Sequence, residues 1–128
     1  MSELTRTKPR IAVLEDHDDT REMLRVALEN DFSICEFRSA SELLSALEEE
    51  RVSAVIADIM VPGLDGFGLV RALRADERFA NLPVIAMTAL AMPNERKNGL
   101  AAGFTEYLVK PIAPADIAAA VWHCLKSA

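Results

Sequence analysis

Five polar side chains in this 128-residue chain stand directly after short apolar runs. Glu15 and Asp16 follow Ile11-Ala12-Val13-Leu14, and Asp58 follows Ala54-Val55-Ile56-Ala57. Thr88 follows Pro83-Val84-Ile85-Ala86-Met87, and Lys110 follows Glu106-Tyr107-Leu108-Val109. Taken singly, each has an ordinary use as a turn, a cap or a surface charge. Taken together they are three acids, a hydroxyl and an ammonium. Three carboxylates brought close repel one another and raise one another's pKa. A hard divalent cation relieves that repulsion, and Mg2+ takes oxygen ligands in octahedral geometry while keeping several waters. Asp16 and Asp58 suit direct ligation, and Glu15 ligation through water. A carboxylate beside such an ion and a Lys can attack phosphorus, because the cations offset charge on the phosphoryl oxygens. The Thr88 hydroxyl can then donate to one of those oxygens, and the product is an acyl phosphate on Asp58.

The elements that must gather these groups are legible in the pattern. The apolar runs are short and bounded by turn residues, as in strands buried on both faces of a parallel sheet. Phe32 to Phe37 alternates more loosely and suits an edge strand. Between the strands lie helical patterns. Asp18 can cap the first, with Met23, Leu24, Ala27 and Leu28 on one face. Ser39 and Glu42 form a capping box for the second, with Leu43, Leu44 and Leu47 inside. Asp65 opens the third, carrying Phe67, Val70 and Leu73. Pro93 suits the first turn of the fourth. That helix, about residues 93–102, is poorly amphipathic, and its internal Gly99 costs about 1 kcal/mol relative to Ala. It is expected to be the least firmly held, with Gly103 as its C-terminal cap. Pro114 opens the last, where Ile117, Ala120, Val121, Cys124 and Leu125 follow helical spacing. Five βα units in strict alternation specify a parallel sheet with helices on both faces and right-handed crossovers. The strand ends then share one edge, where open α/β sheets bind ligands.

Composition narrows the function. The net charge is −6 and no basic stripe appears, which argues against direct binding of nucleic acid. No apolar run approaches the ~18 residues of a membrane span. Residues 1–9 are polar, lack an apolar signal core and suit a disordered lead-in to a domain over 10–128. Cys35 and Cys124 have no metal spacing and suit reduced core positions in a cytoplasmic protein. His17 suits a solvent-facing lead-in to the first helix, with a metal-ligand role as the lesser reading, and His123 suits the surface.

Leu14-Glu15-Asp16, Asp58-Ile59-Met60-Val61-Pro62-Gly63-Leu64-Asp65-Gly66, Thr88-Ala89 and Tyr107-Leu108-Val109-Lys110-Pro111 stand in a specific order and spacing. In this the chain resembles the receiver domain of bacterial two-component response regulators, from Arg10 to Leu125. The resemblance implies a three-layer, doubly wound (βα)5 flavodoxin-like fold with strand order 2-1-3-4-5. It implies that Asp58 accepts a phosphoryl group from a histidine kinase or histidine phosphotransfer protein. It further implies Mg2+, or Mn2+ in its place, on Glu15, Asp16, Asp58 and the backbone carbonyl of Met60. Thr88, Ala89 and Lys110 would attend the phosphate, Tyr107 would turn inward behind Thr88, and the Lys110–Pro111 bond would be cis.

Phosphorylation adds about −1.5 to −2 charges at Asp58. The responding surface is expected to be helix 93–102, the last strand and the last helix, acting on a downstream protein. On that last helix Ala115, Ala118, Ala119 and Trp122 fall outside the core face. They suit a flat contact for a partner or for a phosphorylation-dependent dimer, unless Trp122 merely lies over a neighbouring helix. A turnover enzyme is not expected. Chains resembling the haloacid dehalogenase family carry a second Asp two positions after the nucleophile, where this chain has Met60. An interaction module that is never phosphorylated would not need the intact acids, Thr88 and Lys110. A nucleotide binder on the same fold would need a Walker-type loop, which the sequence lacks. The chain acts as a single-domain regulator or as part of a longer protein.

Overall fold

A computed structural model describes residues 8–60, 65–89 and 93–127. The five strands are β1 (Arg10–Leu14), β2 (Ser33–Phe37), β3 (Ala54–Asp58), β4 (Val84–Thr88) and β5 (Glu106–Val109). The helices are α1 (Asp18–Leu28), α2 (Ala40–Glu49), α3 (Gly66–Ala75), α4 (Pro93–Ala102) and α5 (Pro114–Ser127), with a 3-10 turn at Glu77–Phe79. All pairings are parallel and the order is β2-β1-β3-β4-β5, the order the resemblance implies. Every residue of β3 and β4 is buried, which is why their runs are continuously apolar rather than alternating.

Alternation across the sheet feeds two cores. Ile11, Val13, Ile56, Ile85 and Met87 point to one face, where α1 and α5 cover them with Leu24, Leu28, Ile117 and Val121. Ala12, Leu14, Val55, Ala57 and Ala86 point to the other, covered by Leu43 and Leu47 of α2 and by Leu69, Val70 and Leu73 of α3. Arg74 closes the end of the second core. Its guanidinium donates to the carbonyls of Gly103 (2.9 Å), Phe79 (2.9 Å) and Leu82 (2.6 Å), satisfying groups that no ladder reaches.

Several local expectations change. The N-cap of α1 is His17, which makes no side-chain cap bond, and not Asp18. Asp18 lies in the first turn, and its carboxylate goes to Arg21 and Arg38. Ser39 caps α2 by accepting from Glu42 N–H, while Glu42 reaches one residue further back, to the N–H of Arg38 (3.0 Å). Cys35 is only half-buried because β2 is the sheet edge; Cys124 is buried, and both are free thiols. Lys8 and Pro9 are already engaged, through Glu29 and Ser33 respectively. Residues 1–7, 61–64, 90–92 and 128 lie outside the described residues. Gly103 does end α4 with a positive φ of 126°.

Candidate functional site

The sheet ladder continues one residue past three strands and so fixes the site. Glu15 N–H donates to Phe37 O (3.0 Å), Ile59 N–H to Met87 O (2.9 Å), and Lys110 N–H to Thr88 O (2.7 Å). Parallel strands of similar length therefore deliver Glu15, Asp58, Thr88 and Lys110 to one rim. Glu15, Asp58 and Thr88 are buried there, while Asp16 and Lys110 are partly open to solvent.

Asp58 has both carboxylate oxygens engaged. Oδ2 accepts from Lys110 Nζ (2.5 Å) and Oδ1 from Met60 N–H (2.9 Å). Glu15 stands alongside, with Oε2 accepting from His17 N–H (3.1 Å) and Oε1 lying 4.0 Å from Lys110 Nζ. Glu15 Oε1 and Asp16 Oδ1 are enclosed and have no hydrogen-bond partner among the described residues. A buried carboxylate left so is costly unless a proton or a cation completes it. Burial, and then the neighbouring Asp58, push the Glu15 carboxyl up to about 7. Burial opposes charge on Asp58 as well, but the adjacent Glu15 carboxyl, the Lys110 ammonium and the Met60 N–H outweigh it and hold Asp58 below the ordinary range. Two acids, one favouring the proton and one the charge, share a single pocket beside one ammonium.

Behind them, Thr88 is buried and Tyr107 is turned inward, 1% exposed. The phenolic oxygen has no hydrogen-bond partner among the described residues, and burial raises its pKa. The ring lies against α4 at Gly99, where an added Cβ would stand 2.5 Å from Tyr107 Cε2. Gly99 is thus the niche for the aromatic ring and not a mere weakness in the helix. From the same helix Arg96 donates to Tyr107 O (2.7 Å) and Glu106 Oε1 (3.2 Å). Among the described residues of α4 Gly99 alone is buried, in keeping with the poor amphipathicity of that helix. The Lys110–Pro111 peptide is cis.

The family model described as response regulator receiver domain matches residues 11–122. The chain belongs to this family. The receiver domain is 38% identical over 108 residues to an uncharacterized 14.6 kDa protein of Leptolyngbya boryana, covering 84% of this chain and 82% of that one. It is 34% identical over 119 residues to the transcriptional regulatory protein GltR of Pseudomonas aeruginosa, covering 92% of this chain but only 49% of GltR. It thus spans about half the length of that regulator. Among solved structures, the receiver domain of sensor histidine kinase PA1611 from P. aeruginosa superimposes with a TM-score of 0.83, at 26% identity, over 94% of this chain and 99% of that one. That structure holds a magnesium ion coordinated in its active-site cleft. In this receiver domain no helix among the described residues is long and apolar enough to cross a membrane.

Not every residue singled out in the sequence lies at the rim. Ala89 lines a hollow beside it, of about 470 Å³, with Thr20, Met23, Met87, Pro111 and Ile112. Met60 has its N–H on Asp58 and its side chain turned outward. On α5, Ala115 and Ala119 are exposed, whereas Ala118 packs half-buried on the α1–α5 core. Trp122, 37% exposed, leans on Phe32 with ring centroids 4.8 Å apart, so this receiver's own core covers part of the indole. Sequence reasoning passed over Arg21. It is buried, and its guanidinium donates to Glu15 O (3.2 Å), to Glu36 Oε1 (3.2 Å) and to Asp18. The available signal was spacing: positions 21, 24 and 28 share one face of α1.

Proposed function

We propose that this receiver domain is the phosphoacceptor of a two-component phosphorelay, with Asp58 taking a phosphoryl group from a histidine kinase or histidine phosphotransfer protein. The observation that carries the reading is the Asp58 carboxylate, buried yet held ionised, 2.5 Å from Lys110 and beside carboxylate oxygens that lack partners. An oxygen of Asp58 forms the new O–P bond as the donor N–P bond breaks, and the electron pair returns to the donor imidazole. Lys110 passes from the Asp58 carboxylate to a phosphoryl oxygen, and the Thr88 hydroxyl donates a hydrogen bond to another. The unsatisfied oxygens of Glu15 and Asp16 fit a divalent cation, Mg2+ or Mn2+, with Asp58 and the Met60 carbonyl completing the protein ligands. When bound, the ion neutralises charge on the phosphoryl oxygens and relieves repulsion among the acids.

The domain is a switch rather than a turnover enzyme. Its own chemistry is limited to phosphoryl transfer to Asp58 and slow autodephosphorylation. Movement at Thr88 passes to Tyr107 and to α4, whose Leu100 is exposed, as is Val109 of β5. The α4–β5–α5 surface then meets a downstream protein in the bacterial cytoplasm, either a partner or a second copy in a phosphorylation-dependent dimer. Direct contact with nucleic acid or membrane forms no part of this reading. Incubation with acetyl phosphate, with and without Mg2+, tests it. The expected result is one acid-stable, base-labile carboxyl phosphate that requires the metal and is missing in Asp58→Asn. Labelling that survives in Asp58→Asn overturns the assignment.

A further inference from the structure

We propose that His17 adds a nitrogen ligand to the Glu15–Asp16 cation site, so that the site takes a later first-row ion, Co2+, in preference to Mg2+, with Mn2+ between the two. The inference rests on the metal site of the preceding reading and goes beyond it in the identity of the ion. Among the described residues, Glu15, Asp16 and His17 offer ligand atoms that all lie within 4.8 Å of one another. His17 Nδ1 is 3.2 Å from Asp16 Oδ1 and 3.4 Å from Glu15 Oε2. Neighbouring vertices of an octahedron with ligand bonds of 2.0–2.1 Å are about 2.9 Å apart, so the trio needs little movement to surround one ion.

Two independent observations separate this from a chance meeting of surface charges. Asp16 Oδ1 remains without a hydrogen-bond partner despite the nearby ring, so the imidazole approaches it without forming a hydrogen bond. The fully buried Glu15 keeps Oε1 without a partner, while Oε2, the oxygen nearer the ring, accepts from His17 N–H. Asp58 stands outside this trio, its oxygens accepting from Lys110 and Met60, and would join the ion only as Lys110 moves off. The side chain of His17 is 75% exposed and makes no cap bond to α1, which leaves its ring free to turn toward an ion. Oxygen-only sites suit Mg2+, whereas an imidazole shifts the order toward later first-row ions.

The test uses the full chain and three ions, Mg2+, Mn2+ and Co2+. Competition titrations followed by the electron paramagnetic resonance of free Mn2+ give the affinities, and pulsed resonance of bound Mn2+ reads coupling to 14N directly. In His17→Ala, Co2+ affinity is expected to fall about tenfold or more and Mn2+ affinity by less, with Mg2+ changed less than about twofold. The 14N coupling should vanish. Equal losses for all three ions, no loss for any, or no 14N coupling in the parent chain would each overturn the proposal. Thermal unfolding of His17→Ala in EDTA, matching the parent, excludes a folding defect. Acetyl phosphate labelling separates the two readings. An unlabelled Asp58 with nitrogen-coordinated Mn2+ sinks only the phosphoacceptor assignment, and a labelled Asp58 without 14N coupling sinks only this one.

Discussion

Lys110 Nζ stands 2.5 Å from Asp58 Oδ2, so the carboxylate proposed as phosphoacceptor sits in an ion pair that an incoming phosphoryl group would have to displace. Lys110→Met leaves Asp58 buried beside Glu15, with the Met60 N–H as its remaining hydrogen-bond donor. Truncating one side of such a pair strands the other charge, and a loss of about 2 kcal/mol is expected in EDTA. Mg2+ should recover more of that loss than it adds to the parent chain. Urea unfolding of both proteins, with and without Mg2+, measures the difference.

The acid pair sets a pH dependence of definite sign. Glu15 titrates at about 7 in the fold against an ordinary value of 4.5, so between these values the folded state holds the proton more tightly than the unfolded chain. Its contribution is complete below about 4.5 and is lost as the pH rises through 7, on the order of 3 kcal/mol at full shift. Asp58 is shifted the other way, and its contribution fades only as the pH falls below the usual carboxylate range. In EDTA the Tm should therefore decline from pH 5 to pH 8. Because a cation competes with the Glu15 proton, Mg2+ affinity should weaken by up to about tenfold per unit below pH 7. Calorimetric titrations at several pH values read this directly, with proton release in proportion.

Gly99→Ala puts a methyl group into the Tyr107 ring, whose nearest atoms would lie at 2.5 and 2.6 Å. Overpacking of this kind costs about 1–3 kcal/mol against a small gain in helix propensity. The ring can escape only by turning outward. The variant is expected to be less stable and to show Tyr107 in a solvent-exposed environment by NMR or ultraviolet absorbance.

Arg21→Met removes the donor that holds the Glu15 carbonyl while keeping most of the buried stem. Glu36 loses one of its two guanidinium partners, and Arg25 still holds it at 2.9 Å. Stability should fall by about 1–3 kcal/mol. If Arg21 positions the acidic turn, Mg2+ affinity falls as well, whereas Glu36→Gln, which spares the carbonyl bond, should leave it near the parent value.

The strands and the rim were legible because buried parallel strands write themselves as unbroken apolar runs, and because β1, β3, β4 and β5 each run out into a polar residue at the rim. Val84–Thr88 and Lys110 could be placed on one edge from alternation alone. What hid were residues whose type contradicts their burial. Arg21 is charged and buried, and Arg74 spends its charge on three backbone carbonyls brought from two separate stretches. Gly99 was weighed by helix propensity, yet its role is set by the aromatic ring of Tyr107, on the neighbouring strand. Asp18 had the chemistry of a cap, but two arginines competed for it and His17 took the position.

The backbone bond from Lys110 N–H to Thr88 O joins the end of β4 to the start of the segment leading into α5. These two ends are links in series. A displacement of the Thr88 main chain is therefore shared with the segment that leads into the final helix, through backbone as well as side chains. The site therefore has fewer independent moving parts than it has residues, and stiffening either link should quiet both.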